Sequence, residues 1–338
     1  MAKIEREALF VAWTRYMRRP ESMRSVFGYE LVFMPNLARG VLSQLFSYIG
    51  NSCRTMALLV GRHPAILWVQ LAPVFLLYMA VAYKFFRPGT RVVADCHNSM
   101  FGSRWSWMPG AMWSLNRCDV VLVHNPTVHA QAIELGVKPE RLHILETRPA
   151  QIRCTADRCR APTGVSGAWV LMPASFSGDE PMKVVVDAAR RSPGVTFVIT
   201  GDTARARQTL DLENLPANLR LTGFLDRSTL DGYLCGATAI LGLTTRSDIQ
   251  LSVANEAAGA GKAMVLSDTP LLREMFPRGA VYVTTLSPES IAAGVAQAIQ
   301  ERGHLEAESA ALRDWREARW ARQAEVVLSR LKLDEVEP

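Results

Sequence analysis

Short apolar runs alternate with helical patterns along almost the whole chain, and this alternation limits the fold more than any other feature. The runs fall at 8–13, 30–34, 66–71, 91–94, 120–124 and 142–145, and again at 168–172, 195–199, 219–222, 239–243, 263–266 and 280–283. Stretches with helical periodicity separate them, such as 41–60, 127–135 and 182–191. Strand-helix-strand alternation favours parallel sheets covered on both faces by helices. The interval 146–167 breaks the pattern, gathering Pro, Gly, Thr and Arg without periodicity, and divides the chain in two. At 338 residues the chain has room for two domains of ordinary size.

One segment competes with this scheme. Residues 66–86 (ILWVQLAPVFLLYMAVAYKFF) are long enough to span a bilayer. Gln70 and Pro73 interrupt the segment in its first third and Lys84 near its end, so it parses as a strand, a Pro-containing turn and a helix over 74–86. No signal-type apolar run follows the charged first residues. The six cysteines (Cys53, Cys96, Cys118, Cys154, Cys159, Cys235) are sparse and mostly lie in apolar stretches, which predicts reduced thiols, a reducing compartment and a cytoplasmic protein.

Charge is divided unevenly. Residues 1–160 hold 20 Lys/Arg against 10 Asp/Glu, and residues 161–338 hold 18 against 22. A basic amino half suits an anionic partner such as phosphate or an acidic membrane face. The apolar helices over 41–60 and 74–86, with Arg39, Arg54, Arg62 and Arg87 near their ends, make a peripheral anionic membrane surface a candidate partner. Nothing aromatic interleaves with the basic residues, which argues against nucleic acid.

In open parallel sheets, ligands bind beyond the carboxyl ends of the strands. The residues there are Thr14 and Arg15; Asp95, His97 and Asn98; Ser175, Ser177, Asp179 and Glu180; Thr200 and Gly201; Phe224 and Leu225; and Thr244, Thr245, Arg246 and Asp248. Small and hydroxylated residues ahead of a helix offer backbone amides and a positive dipole end to phosphate oxygens. Several other chemistries lack their signatures. No G-x-G-x-x-G follows the first strand, no G-x-S-x-G elbow occurs, and the Lys262 region lacks the first glycine and the hydroxyl of a phosphate loop. No cysteine-histidine set has metal-ligand spacing, so neither a metal nor a resident cofactor is expected.

Five segments in order carry a resemblance: Ser175–Pro181, Val195–Gly201, Pro216–Leu225, Leu243–Asp248 and Asn255–Ala257. Together they resemble the donor half of GT-B glycosyltransferases, closest to the family-4-like group and its relatives among β-mannosyltransferases acting on lipid-linked sugars. Trp13 with its Arg-rich helix, and Val92–Asn98, resemble that group's acceptor domain. The resemblance implies two Rossmann-like parallel-sheet domains facing a cleft. Residues 1–150 would bind the acceptor, 151–167 link, 168–305 bind the donor, and 306–338 form a helix crossing back to brace the first domain.

The implied activity transfers a sugar from a nucleotide diphosphate sugar to a hydroxyl of a lipid-linked or polysaccharide acceptor. Glu256 would hold the ribose hydroxyls, and Asp248, eight residues earlier, replaces one of two glutamates in the family pattern. The loop Ser177-Gly-Asp-Glu-Pro lacks the family's Arg and Lys for the diphosphate, so backbone amides near Thr245, with Arg246 and Arg15, are expected to take over. Asp95 and His97, two apart at a strand end, are the candidate acceptor-side bases. A sugar-nucleotide epimerase and a non-catalytic membrane-associated sugar-binding scaffold are the competing functions.

Overall fold

The computed structural model describes residues 8–35, 41–102, 105–247 and 249–332. Asp248, Arg39 and the first seven residues, on which sequence expectations rest, lie outside them. The chain separates into two compact units, residues 1–148 with 318–338, and residues 149–317.

Unit 1 contains β1 (Ala8–Ala12), α1 (Arg18–Phe27), β2 (Glu30–Phe33), α2 (Val41–Arg62), β3 (Ile66–Leu71), α3 (Val74–Phe86), β4 (Arg91–Cys96), α4 (Ala111–Leu115), β5 (Val120–Val123), α5 (Pro126–Glu134) and β6 (Leu142–Ile144). The six strands form one parallel sheet in the order β2-β1-β3-β4-β5-β6, so strand order reverses between β1 and β3. Residues 66–86 divide at Pro73 into β3 and α3 as their sequence predicts. All six residues of β3 are buried. Among the described residues no helix is long and apolar enough to cross a membrane.

One sheet face packs on α2, α3 and α4 through Leu59, Leu76, Leu77 and Leu115. The other packs on α1 and on the later part of a long helix, α12 (Arg302–Lys332). Phe10, Phe27, Tyr29 and Trp68 form an aromatic cluster there, with ring centroids 4.6–6.3 Å apart.

Unit 2 contains β7 (Trp169–Pro173), α6 (Met182–Arg191), β8 (Thr196–Thr200), α7 (Thr203–Thr209), β9 (Leu219–Gly223), α8 (Arg227–Gly236), β10 (Ala239–Gly242), α9 (Ser252–Gly259), β11 (Met264–Ser267), α10 (Pro270–Met275), β12 (Ala280–Val283), α11 (Pro288–Gln300) and the first part of α12 (Arg302–Lys332). Its parallel sheet has the order β12-β11-β10-β7-β8-β9, with the reversal between β7 and β10. Beyond Glu317, α12 belongs to unit 1, where Trp320, Ala324, Val327 and Leu331 join the cluster around Phe27.

Two expectations are corrected here. The interval 151–167 does not hang between domains but packs onto unit 2: Ile152 is buried, and the Arg160 amide donates to the Gly232 carbonyl at 3.0 Å. Glycines make this approach possible, since a Cβ on Gly236 would lie 2.0 Å from the Arg160 carbonyl oxygen. The same close passage along α8 joins Cys154 to Cys235 in a disulfide. Reduced thiols were expected for both, and the argument for a reducing compartment loses that support. Cys53, Cys96, Cys118 and Cys159 are unpaired.

Candidate functional site

The reversal of strand order in unit 2 falls between β7 and β10, and in open parallel sheets the crevice at such a reversal, between the loops after the two strands, is where ligands bind. The loop after β10 leads into the amino end of α9. Hydrogen bonds tie these two loops together. The Thr245 amide and hydroxyl donate to the Asp179 carbonyl at 2.8 and 3.1 Å. The Thr244 hydroxyl donates to Asp179 Oδ2 at 2.8 Å, and the Ser177 hydroxyl to Oδ1 at 2.6 Å. Burial pushes the Asp179 carboxyl pKa upward. The hydrogen bonds from Ser177 and Thr244 and the charge of Arg246 outweigh it, holding the group below its ordinary value.

Glu180, which the sequence places beyond a strand end without assigning it a role, fills the amide cradle of the β7 loop. Its carboxylate accepts from the Ser175 amide at 3.0 Å, the Ser175 hydroxyl at 2.9 Å and the Phe176 amide at 2.7 Å. Phe176 takes a positive φ of 53° to aim its amide inward. Successive inward amides of this kind form an anion nest, and here the chain supplies the anion itself. Gly201, at the end of β8, lines the back of the loop. A Cβ there would lie 2.2 Å from the Ala174 carbonyl oxygen, and its φ is 143°, so glycine is required.

Thr245 and Arg246 are exposed beside the crevice, with Ser175 exposed and Ser177 half-buried across from them. Glu256 lies half-buried on α9. Leu251 at the N-cap of α9 supplies no side-chain acceptor, and the positive end of the helix dipole faces the loop after β10. Four other expected donor residues are placed less directly. Thr200 and Thr244 are buried, the latter with its hydroxyl committed to Asp179. Phe224 and Leu225 follow the edge strand β9, two strands from the crevice.

In unit 1, Thr14 and Arg15 follow β1 at that sheet's own reversal, with Arg15 exposed. Asp95 does not reach the surface. It is fully buried and accepts from Arg19 Nε at 3.2 and 3.1 Å and from Arg19 Nη2 at 3.0 Å. The remaining Arg19 hydrogens go to the Leu145 and Glu146 carbonyls at 2.8 Å and to the Thr147 hydroxyl at 3.4 Å. Burial raises the Asp95 pKa, but the Arg19 charge and the hydrogen bond from His124 override it and hold the carboxyl well below the ordinary range. A buried carboxylate whose oxygens are occupied this way has no access to an acceptor hydroxyl. Asp95 is a buried partner of Arg19, and the expectation that it could serve as the base is corrected on that ground.

His124, directly after β5, is also buried, its Nε2 3.4 Å from Asp95 Oδ1. Burial drives its pKa down to about 4, so it is neutral at pH 7. His97 packs edge-on against the His124 ring, with centroids 5.7 Å apart, and is itself exposed. Desolvation lowers its pKa too, with Asp95 raising it and Arg19 lowering it further. A neutral, exposed imidazole at the end of β4 can take up a proton. Arg19 went unnoticed because its partner lies 76 residues away, and no local motif marks the pair.

No protein-family model matches the sequence, and no curated protein sequence is significantly similar to it. Solved structures are similar in fold. Anabaena HepE, crystallised with UDP-glucose, superposes with a TM-score of 0.71 at 14% identity, over 96% of this chain and 100% of that one. Sucrose-phosphate synthase from Thermosynechococcus elongatus gives 0.68 at 12% identity, over 96% and 98%. A protein described as a UDP-N-acetylglucosamine 2-epimerase from Listeria monocytogenes gives 0.64 at 12% identity, over 99% and 98%. With two six-stranded parallel sheets, each reversing its strand order once, the chain has the GT-B fold of two Rossmann-like domains.

Proposed function

We propose that the protein is a glycosyltransferase that uses a nucleotide diphosphate sugar. The observation that carries this reading is the strand reversal of unit 2, where Ser175, Thr245 and Arg246 are exposed beyond the strand ends and the loop after β10 leads into the amino end of α9. The UDP-glucose bound by HepE supports it. In this reading Glu256 holds the ribose, and amides near Thr245 with Arg246 balance charge on the departing diphosphate. Arg15 is a further candidate for that role, and Asp248 for contact with the donor sugar. His97 of unit 1 accepts the proton of the acceptor hydroxyl as its oxygen attacks the anomeric carbon. The acceptor we assign is a lipid-linked or polysaccharide hydroxyl at the cytoplasmic face of a membrane. The sugar is a hexose, with mannose first to try on the sequence resemblance. The reaction needs no resident cofactor or metal in this scheme.

The test is a thermal-shift panel of UDP, GDP, dTDP and ADP. A nucleotide at about 100 times its Kd adds about 2.7 kcal/mol to the stability of the unit that binds it, which raises Tm by roughly 5–10 °C. Glu256→Ala should abolish this shift, read against the variant's own unliganded Tm. If no nucleotide moves Tm, or the variant responds like the parent, the donor assignment fails. The epimerase-like neighbour favours a second reading, an epimerase on the same fold. An epimerase converts the donor without any acceptor, whereas a transferase releases nucleoside diphosphate in proportion to acceptor supplied.

A further inference from the structure

Helix α2 carries polar groups toward the core and apolar groups toward water. Asn51 and Thr55 are buried together with Leu59 on its inner side. The Thr55 hydroxyl accepts from Trp13 Nε1 at 3.0 Å, and Asn51 Nδ2 reaches the Met34 carbonyl at 3.5 Å. Leu45, Phe46, Ile49 and Val60 are exposed, between 51% and 70% each. At about 100° per residue these four fall in one arc on the side away from Asn51, Thr55 and Leu59. A helix at a protein-water boundary normally shows its polar face to solvent, so this outer stripe fits an apolar medium. Tyr48 of the same helix packs edge-on against Trp105 with centroids 6.3 Å apart, and Trp107, two residues further on, is 84% exposed.

Charge identifies the partner. Between Glu30 and Asp119 the sequence has eight Lys/Arg and a single acid, Asp95, which is fully buried and paired with Arg19. The flanking acids Glu30 and Asp119 pair with Arg62 and Lys84, which leaves the stretch from Glu30 to Asp119 with five more cations than acids. Arg54 is exposed on α2, and Arg87 and Arg117 are exposed at the ends of the neighbouring helices α3 and α4. A second copy docking by the same face would set like charges against each other. We propose that the outer face of α2, with Trp107 beside it, docks on an anionic lipid bilayer, the helix lying in the headgroup region. Apolar side chains enter the acyl boundary, tryptophan sits at headgroup level, and arginines meet lipid phosphates. This proposal stands independently of the transferase reading, because it requires neither nucleotide nor turnover.

The experiment is co-sedimentation of the full chain with phosphatidylcholine vesicles and with vesicles containing phosphatidylglycerol. Tryptophan emission is read in parallel. Binding is expected to the anionic vesicles only, with a blue shift in emission and a steep loss as salt rises. Arg54→Glu should weaken it by about fivefold or more, the contribution of one basic residue near an anionic surface. Phe46→Gln with Ile49→Gln should weaken it by roughly tenfold or more. Circular dichroism and the unliganded Tm of both variants should match the parent, since the altered side chains face solvent.

Absence of binding, equal binding to neutral vesicles, or binding unaffected by the Phe46/Ile49 pair would each overturn the proposal. A dimer in solution that this pair dissociates, without vesicle binding, would assign the face to a second copy instead. Nucleotide binding measured on the same variants keeps failure here separate from failure of the transferase reading.

Discussion

Replacing Asp95 separates a structural anchor from a catalytic base. Asp95→Ala leaves the Arg19 guanidinium buried without its counter-ion, with only the Leu145 and Glu146 carbonyls and the Thr147 hydroxyl for company. Breaking such a buried pair costs about 3–5 kcal/mol, and the retained carbonyl bonds place this site toward the lower figure. In a unit of this size each kcal/mol lowers Tm by roughly 2–4 °C, so unit 1 should melt about 6–12 °C earlier. Urea unfolding followed by circular dichroism, with thermal melts alongside, measures the change.

Pairing Asp95→Leu with Arg19→Met should recover most of the loss, because a well-packed apolar pair often matches a buried ion pair in stability. The pH dependence follows from the depressed carboxyl. The unfolded chain binds a proton near pH 4 while the folded chain resists it, so the contribution is complete above the unfolded value and is lost as pH falls through the acid range. The variant should lack that part of the acid slope. A loss below about 1 kcal/mol, or a double variant no more stable than the single one, would refute the anchor.

Glu180→Gln keeps an acceptor in the amide cradle but removes its charge, so nucleoside diphosphate should bind more tightly. At this half-buried site, where solvent still screens the Coulomb term to about 1 kcal/mol, the gain is about fivefold in Kd, read by calorimetry. A weaker affinity would mean that the carboxylate assists the ligand instead of excluding it. Reduction of the Cys154–Cys235 bond, which closes a loop across 81 residues, should cost unit 2 about 2–4 kcal/mol. Denaturant titration with and without dithiothreitol measures this, and finding both thiols free in the native protein would contradict it.

The strands were legible because each is a buried apolar run in a parallel sheet, where neither face calls for polar alternation. Residues 66–86 show why a local signal was enough there, since Pro73 cannot continue a helix from within and so fixes its start. The run at 91–94 ends too early only because Asp95 and Cys96 extend β4 against Gln70 and Leu71, and an acid inside a strand looks like its end. The functional loops were legible as positions, because parallel topology puts them beyond the strand ends. The groups that occupy them were not. Arg19 meets Asp95 across 76 residues and Cys154 meets Cys235 across 81, pairings that only the folded packing brings together. Glu180 lay in plain sight, but its role depends on Phe176 turning its amide inward, a backbone choice that a non-glycine residue does not announce.

Unit 1 draws its wall of Trp320, Ala324, Val327 and Leu331 from the far end of the polypeptide. During synthesis the first strands and α1 emerge long before that wall exists, leaving Phe10, Phe27 and Trp68 open to water on one side of the sheet. Unit 2, whose residues are contiguous, has all its parts as soon as they leave the ribosome. The later half of the chain can therefore reach its native form first, while the earlier half waits for the last helix or depends on a chaperone to shield the uncovered face. A chain cut short after Glu317 would be expected to aggregate through its amino-terminal half while its carboxy-terminal unit still folds.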